Sequence, residues 1–311
     1  MLVLAGACSA TSPQAKHVTV APSVTTTTTT TTAPAPITTT TVTPATTTTT
    51  TAVPVRTTTT VKRTTTTTRP APRPTTTSTP ATTVVVHRAD PGPGLAGKVV
   101  AIDPGHNGGN GSHASEINRP VDAGGFKKAC DTTGTETNAG YPESAYAFDV
   151  ANRLAGVLRA AGATVVLTRA SNDGVGPCID QRAAIGNAAH ADAAISIHAD
   201  GGPASGRGFH VIEPALVRGF TEPIVEPSAR LGTAVRDAFR DGTGMPVSTY
   251  IGRNGIDVRG DLGGLNLSQV PKVLVETGNM RNATDAELLT SPDWRQRAAT
   301  ALAAALGEFF T

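Results

Sequence analysis

Three stretches decide how this chain reads: KVVAIDPGH at residues 98–106, DAAISIHAD at 192–200 and PKVLVETGN at 271–279. Each carries a short run of Val, Leu, Ile or Ala, as a strand buried on both faces does, and each then meets a residue with metal-type chemistry. The first run stops at the turn pair Pro104-Gly105 and delivers His106, the second carries His198, and the third ends at Glu276. A fourth such residue, Glu143, opens the helical pattern of YPESAYAFDV. Pro142, just before it, suits a first helical turn, where its missing N–H costs little. If the strands run parallel, their C-terminal ends share one edge of the sheet, and helices leaving those ends start there too. Four residues far apart in the chain then meet in one small volume.

The segments between them support that arrangement. Ala147, Val150, Ala151, Leu154, Val157, Leu158 and Ala161 recur at helical spacing and form one apolar face before Gly162 ends the helix. Thr164–Thr168 reads as a strand, Ile179 to about Ala189 as a helix, Gly208–Glu213 as a strand and Pro227–Asp241 as a helix. Ser291-Pro292 is a strong helix start, with Ser as the cap and Pro in the first position. Strands alternating with helices predict an α/β fold: a three-layer sandwich with a mainly parallel sheet and helices on both faces. The Gly/Asn/Ser/Thr-rich stretch 107–140 reads as one long loop, and the Gly-rich stretch up to about Gly264 as irregular.

Composition divides the chain into three. Residues 1–8 (MLVLAGAC) resemble the end of a lipoprotein signal peptide, short of its basic start, with Cys8 as the lipid-bearing residue and a true start upstream. Residues 9–94 are dominated by Thr and Pro, with runs such as Thr25–Thr32, and lack the apolar surface needed to offset the entropy of ordering. They read as an extended disordered linker whose one function is reach. Residues 95–311 have a globular composition and form the predicted catalytic domain. The expected product is a monomer exported to the bacterial cell envelope and lipid-anchored through Cys8. With a net charge of +2 and no basic cluster, nucleic acid is excluded as a partner. Cys130 and Cys178 are the two thiols of the folded part; an oxidising compartment favours a disulfide between them, the alternative being two unrelated thiols.

Taken singly, each candidate has a plain explanation. His106 would be a hydrogen-bonded loop residue, His198 a satisfied core histidine, and Glu143 a carboxylate favoured by the helix dipole. Glu276 ends an apolar strand, where a buried carboxylate needs a cation or a proton beside it. Together the four supply the parts of a His₂Glu zinc hydrolase: three ligands, an open fourth position and a spare carboxylate. Asp103 is expected to support a ligand imidazole or to cap its own turn. His113, His190 and His210 are assigned to loops or the surface.

The ordered motifs DPGHNG (103–108), the E-x₆-A-x₂-L pattern from Glu143, VVLTRASND (165–173), QRAAIGNAAHADAAISIHAD (181–200) and PKVLVETGNMRN (271–282) resemble those of the zinc-dependent N-acetylmuramoyl-L-alanine amidases of the type-3 family. The resemblance implies that His106, Glu143 and His198 ligate Zn2+ and that Glu276 is the catalytic carboxylate. It casts Arg169 and Arg182 as structural, and peptidoglycan and its muropeptides as the substrate. The implied reaction is direct hydrolysis: a zinc-activated water attacks the amide between N-acetylmuramic acid and L-alanine, and Glu276 carries its proton to the leaving amine. Asp200 stands where the family usually has Asn, and Gly278-Asn279 where Gly-Phe is commoner. Two other readings share the fold: a non-catalytic peptidoglycan-binding module, and a zinc carboxypeptidase acting on stem peptides.

Overall fold

The first apolar run forms β1 (Val99–Pro104), buried along nearly its whole length. This is a computed structural model, and it describes residues 94–311; the segment 1–8 with Cys8 and the linker up to Pro93 lie outside the described residues. The stretch expected to be a loop is only partly one. It holds a short helix α1 (Ala114–Ile117) and a two-stranded hairpin, β2 (Pro120–Asp122) and β3 (Lys127–Ala129). Its polar composition hid these elements, since a three-residue strand has no room for a readable period. The order then runs α2 (Glu143–Ala160), β4 (Thr164–Leu167), α3 (Ile179–Ala188), β5 (Ala193–Asp200), β6 (His210–Pro214) and α4 (Val225–Thr243). The chain closes with β7 (Ile256–Arg259), α5 (Gly263–Asn266), β8 (Lys272–Asn279), α6 (Ala283–Thr290) and α7 (Pro292–Phe309). Pro142 is the cap of α2 rather than its first residue, and the Ser291 hydroxyl caps α7 by accepting from Trp294 N at 3.3 Å.

Six strands form one sheet in the order β4-β1-β5-β8-β6-β7. The four from β4 to β8 are parallel, as the alternation of elements predicts. Beyond them β6 runs antiparallel to β8, and β7 runs with β6. The sheet is therefore mixed: a strand's apolar run records its burial but not its direction.

The two faces differ in chemistry. On one, Val100, Ile102, Ile195, Ile197, Val273 and Val275 pack with Leu154, Leu231 and Trp294 of α2, α4 and α7 in the main core. Burying a side chain of this size stabilises by roughly 1.5–3 kcal/mol. On the other, α3 and α5 cover a much smaller apolar cluster around Ala101 and Ala194. That face also carries the buried polar residues Asp103, Ser196 and Lys272.

Cys130 and Cys178 form a disulfide, 48 residues apart in sequence. It fastens the end of the hairpin region to the first turn of α3, where Ile179 N also donates to Cys130 O at 2.9 Å. A cross-link closing a loop of that size is worth at most about 4 kcal/mol on the chain-entropy model. Reduction should therefore lower the thermal midpoint by several degrees. Differential scanning with and without a reductant, checked by alkylation and mass measurement, tests this; an unchanged midpoint would show that the bridge carries no load.

Candidate metal centre

β1 ends in a turn, Pro104-Gly105-His106, that has no room for other residues. A Cβ on Gly105 would lie 2.3 Å from the His198 ring. His106 itself sits at φ 55°, a left-handed conformation that costs a non-glycine residue on the order of 1 kcal/mol. Contacts on every side hold it there. Arg182 Nη2 donates to His106 O at 2.9 Å, and Nδ1 of the ring lies 3.1 Å from both Asp131 Oδ1 and Thr132 O. Two acceptors at Nδ1 place the proton there, which leaves Nε2 as the free ring nitrogen.

Glu143 is the first residue of α2, where the exposed N–H groups of the helix favour a carboxylate. Its Oε2 accepts from Thr135 N at 2.9 Å and its Oε1 from Ala199 N at 3.3 Å. Both imidazoles converge on Oε1: His106 Nε2 at 3.3 Å and His198 Nδ1 at 2.8 Å. One ligand atom from each of the three residues lies within 4.8 Å of the others, so this cluster could hold a metal ion. Gly134, at φ 73°, permits the approach, because a Cβ there would meet the His106 ring at 2.8 Å and Glu143 Oε2 at 2.9 Å.

The electrostatics fit a site built around a cation. Burial opposes a charged His106, but Glu143 and Asp131 outweigh it and push the imidazole up to about 10. Burial would likewise raise Glu143, yet the two imidazoles hold its carboxyl well below the usual range. A proton on His106 thus occupies the electrostatic place that a metal would take.

Glu276 behaves in the opposite way. It is the register partner of His198 on the neighbouring strand, and β8 bulges immediately after it, where Thr277 Oγ1 donates to His198 O at 2.7 Å. Bulges of this kind re-aim a side chain at a sheet edge. Its Oε2 is buried with no hydrogen-bond partner among the described residues. Burial, then Glu143 and Asp200, push its carboxyl well above the ordinary range, and His106 and Arg259 offset this only in part. Beside the cluster a cavity of about 800 Å³, its open mouth included, is walled by Ile179, Leu262, Leu265, Leu274 and Lys128.

The structure brings His106, Glu143, His198 and Glu276 together. Asp103 is corrected: among the described residues it makes no hydrogen bond to an imidazole and instead binds Arg182, Lys272, Ser196 and Thr168. The carboxylate on His106 is Asp131, which sequence reasoning missed; its one sequence signal was its place beside Cys130. His210 is also corrected, being a buried β6 residue rather than a surface one, while His113 and His190 are exposed as expected. The two departures from the usual motifs have local uses. Asp200 accepts from the Tyr250 hydroxyl at 2.9 Å, and Asn279 Nδ2 donates to Pro203 O and Gly206 O, both at 2.8 Å.

Residues 100–308 match the family model described as N-acetylmuramoyl-L-alanine amidase. Over 216 residues, 69% of this chain and 87% of the relative, the sequence is 44% identical to an N-acetylmuramoyl-L-alanine amidase of Mycobacterium tuberculosis. The crystal structure of an N-acetylmuramyl-L-alanine amidase from Mycobacterium smegmatis matches with a TM-score of 0.66 at 41% identity, covering 70% of this chain and 98% of that one. The apo enzyme from Mycobacterium abscessus matches at 0.64 and 42%, covering 70% of this chain and all (100%) of that one. With the fold, the clustered residues and these relatives in agreement, the chain belongs to the N-acetylmuramoyl-L-alanine amidase family and is a hydrolase of peptidoglycan.

Proposed function

We propose that the chain cleaves the amide between N-acetylmuramic acid and the L-alanine of the stem peptide, using one zinc ion held by His106, Glu143 and His198 and a proton carrier, Glu276. The observation that carries the reading is the convergence of His106 Nε2 and His198 Nδ1 on Glu143 Oε1, next to the buried Glu276 Oε2, which has no hydrogen-bond partner among the described residues. Two imidazoles and one carboxylate with an open position suit zinc. Bound there, zinc supplies the Lewis acidity that polarises the amide carbonyl and acidifies a water. The rest falls to the chain. Asp131 and Thr132 O fix the His106 tautomer, Glu143 is oriented by two backbone N–H groups, and Glu276 takes the water's proton. As the new C–O bond forms and the C–N bond breaks, Glu276 returns that proton to the alanine nitrogen. A carboxyl whose affinity for protons is raised by burial suits both halves of the transfer. A zinc carboxypeptidase would share the ligands but shorten the peptide; mass spectrometry of digested muropeptides separates intact released stem peptides from shortened ones.

The reading also includes lipid attachment at Cys8 outside the cytoplasmic membrane, beyond the described residues. Metabolic labelling with a lipid precursor tests it, and a freely secreted, unlabelled product would remove it.

His106→Ala and His198→Ala should each lose zinc, measured by elemental analysis; stoichiometric zinc in the double variant would sink the ligand assignment. Glu276→Gln should keep zinc and lose about 10²–10⁴-fold in rate. Near-parental turnover of muramoyl-peptide in that variant would make Glu276 structural.

Metal and proton should compete at His106. In the chelated protein, an imidazole raised from 6.5 to about 10 contributes stability that is full below pH 6.5 and lost as pH climbs through about 10. The thermal midpoint of the chelated parent should therefore fall between pH 7 and 10 more steeply than that of chelated His106→Gln. The zinc-loaded parent should hold its midpoint over the same range, and equal slopes in all three samples would contradict the account.

A further inference from the structure

Three neighbouring strands set His198, Glu276 and His210 abreast, Glu276 being the register partner of His198 in β5 and of His210 in β6. Register partners project from the same face, and across an antiparallel pair their Cβ atoms lie about 4.5–5.5 Å apart. Glu276 thus has an imidazole on each side. One belongs to the metal cluster; the other has had no task. His210 is only 1% exposed, and its Nδ1 is buried with no partner among the described residues. Glu276 Oε2 is orphaned in the same way. Two buried atoms on neighbouring residues, one able to donate and one able to accept, each lack what the other offers.

Several other donors on this sheet face are committed elsewhere. Arg259 binds both oxygens of Asp261, at 2.8 and 2.7 Å. The Tyr250 hydroxyl donates to Asp200 Oδ2, and Asp200 Oδ1 accepts from Gly201 N. Arg182 and Lys272 are both taken by Asp103. His210 is held in a built enclosure: the Tyr250 ring meets it edge-on at 6.3 Å, and a Cβ on Gly202 or Gly206 would strike that ring at 2.5 or 2.6 Å. Between Phe209 and Val211, both fully buried, an apolar residue would spare the cost of an unpaired imidazole.

We propose that His210 is a positioning residue for Glu276: its ring N–H donates, directly or through one water, to the buried Oε2 and leaves Oε1 for the proton transfer. The inference rests on the amidase reading for the task of Glu276, but not for the bond itself.

His210→Phe keeps a ring of similar size and removes both nitrogens, while His210→Gln keeps a donor. Zinc-loaded parent, both variants, Glu276→Gln and the double variant H210F/E276Q are compared for kcat, KM, zinc content and thermal midpoint. Loss of a supporting hydrogen bond of this kind typically costs about 10–100-fold, expected here in kcat with KM and zinc content unchanged, and with His210→Gln recovering much of the rate. The midpoint shifts of H210F and E276Q should not add in the double variant, because H210F removes, and E276Q alters, one shared bond. Parental kcat in H210F, or additive midpoints, would overturn the proposal, as would a His210→Gln variant no better than H210F. If the zinc-loaded parent releases no stem peptide at all, the amidase reading fails, and the midpoints alone decide whether the His210–Glu276 bond exists.

Discussion

Asp103 lies 5% exposed on the polar face of the sheet, and its two oxygens accept from four separate parts of the fold. Thr168 Oγ1 and Arg182 Nη1 reach Oδ1 at 2.7 and 3.0 Å; Ser196 Oγ and Lys272 Nζ reach Oδ2 at 2.6 and 3.0 Å. Burial alone would drive such a group to its neutral form, but Lys272 and Arg182 hold it far below the ordinary range. Buried ion pairs add little net stability, yet removing one partner typically costs about 3–5 kcal/mol because the other charge stays buried. The network therefore acts as a lock on geometry. From it Arg182 continues to Pro104 O, His106 O and Asp131 Oδ2. Arg169 takes Pro104 O, Gly105 O and, on the facing helix, Ser144 O. Every carbonyl of the turn that presents His106 is thus held by a guanidinium, and the same Arg169 fixes the backbone next to Glu143. The strained left-handed His106 is the visible consequence.

How much of this was legible follows from what each residue type records. His106, Glu143, His198 and Glu276 could be read because parallel strands end at a common edge, so position along a run translates into position in space. The four parallel strands carried that rule. It does not extend to β6, whose alternation gives neither its direction nor which of its faces is covered, so His210 was placed at the surface; the antiparallel register sets it against Glu276. Asp131 was unreadable for a different cause. It comes from a polar stretch with no period, and it reaches His106 only through the Cys130–Cys178 bridge and the grip of Arg182. Asp103 was noticed, but its partners Lys272 and Ser196 are distant in sequence, and strand pairing alone brings them together.

The carboxylates at this edge differ because positive charge is unevenly shared. Asp103 faces two committed cations, Asp131 faces Arg182 and His106, and Glu143 faces two imidazoles; all three are held below the ordinary range even though burial works against them. Glu276 sits across one strand from the same cluster with no cation of its own, and Glu143 and Asp200 repel its charge. Any added positive charge at the three-residue cluster acts first on Glu143 and His106, which bind it, and reaches Glu276 only across the space between. Glu276 is repelled by Glu143 and Asp200 and is offset only in part by His106 and Arg259, so its carboxyl stays above the ordinary range. The uneven placement of arginines and lysine on this sheet face is what separates the raised carboxyl of Glu276 from the three lowered ones.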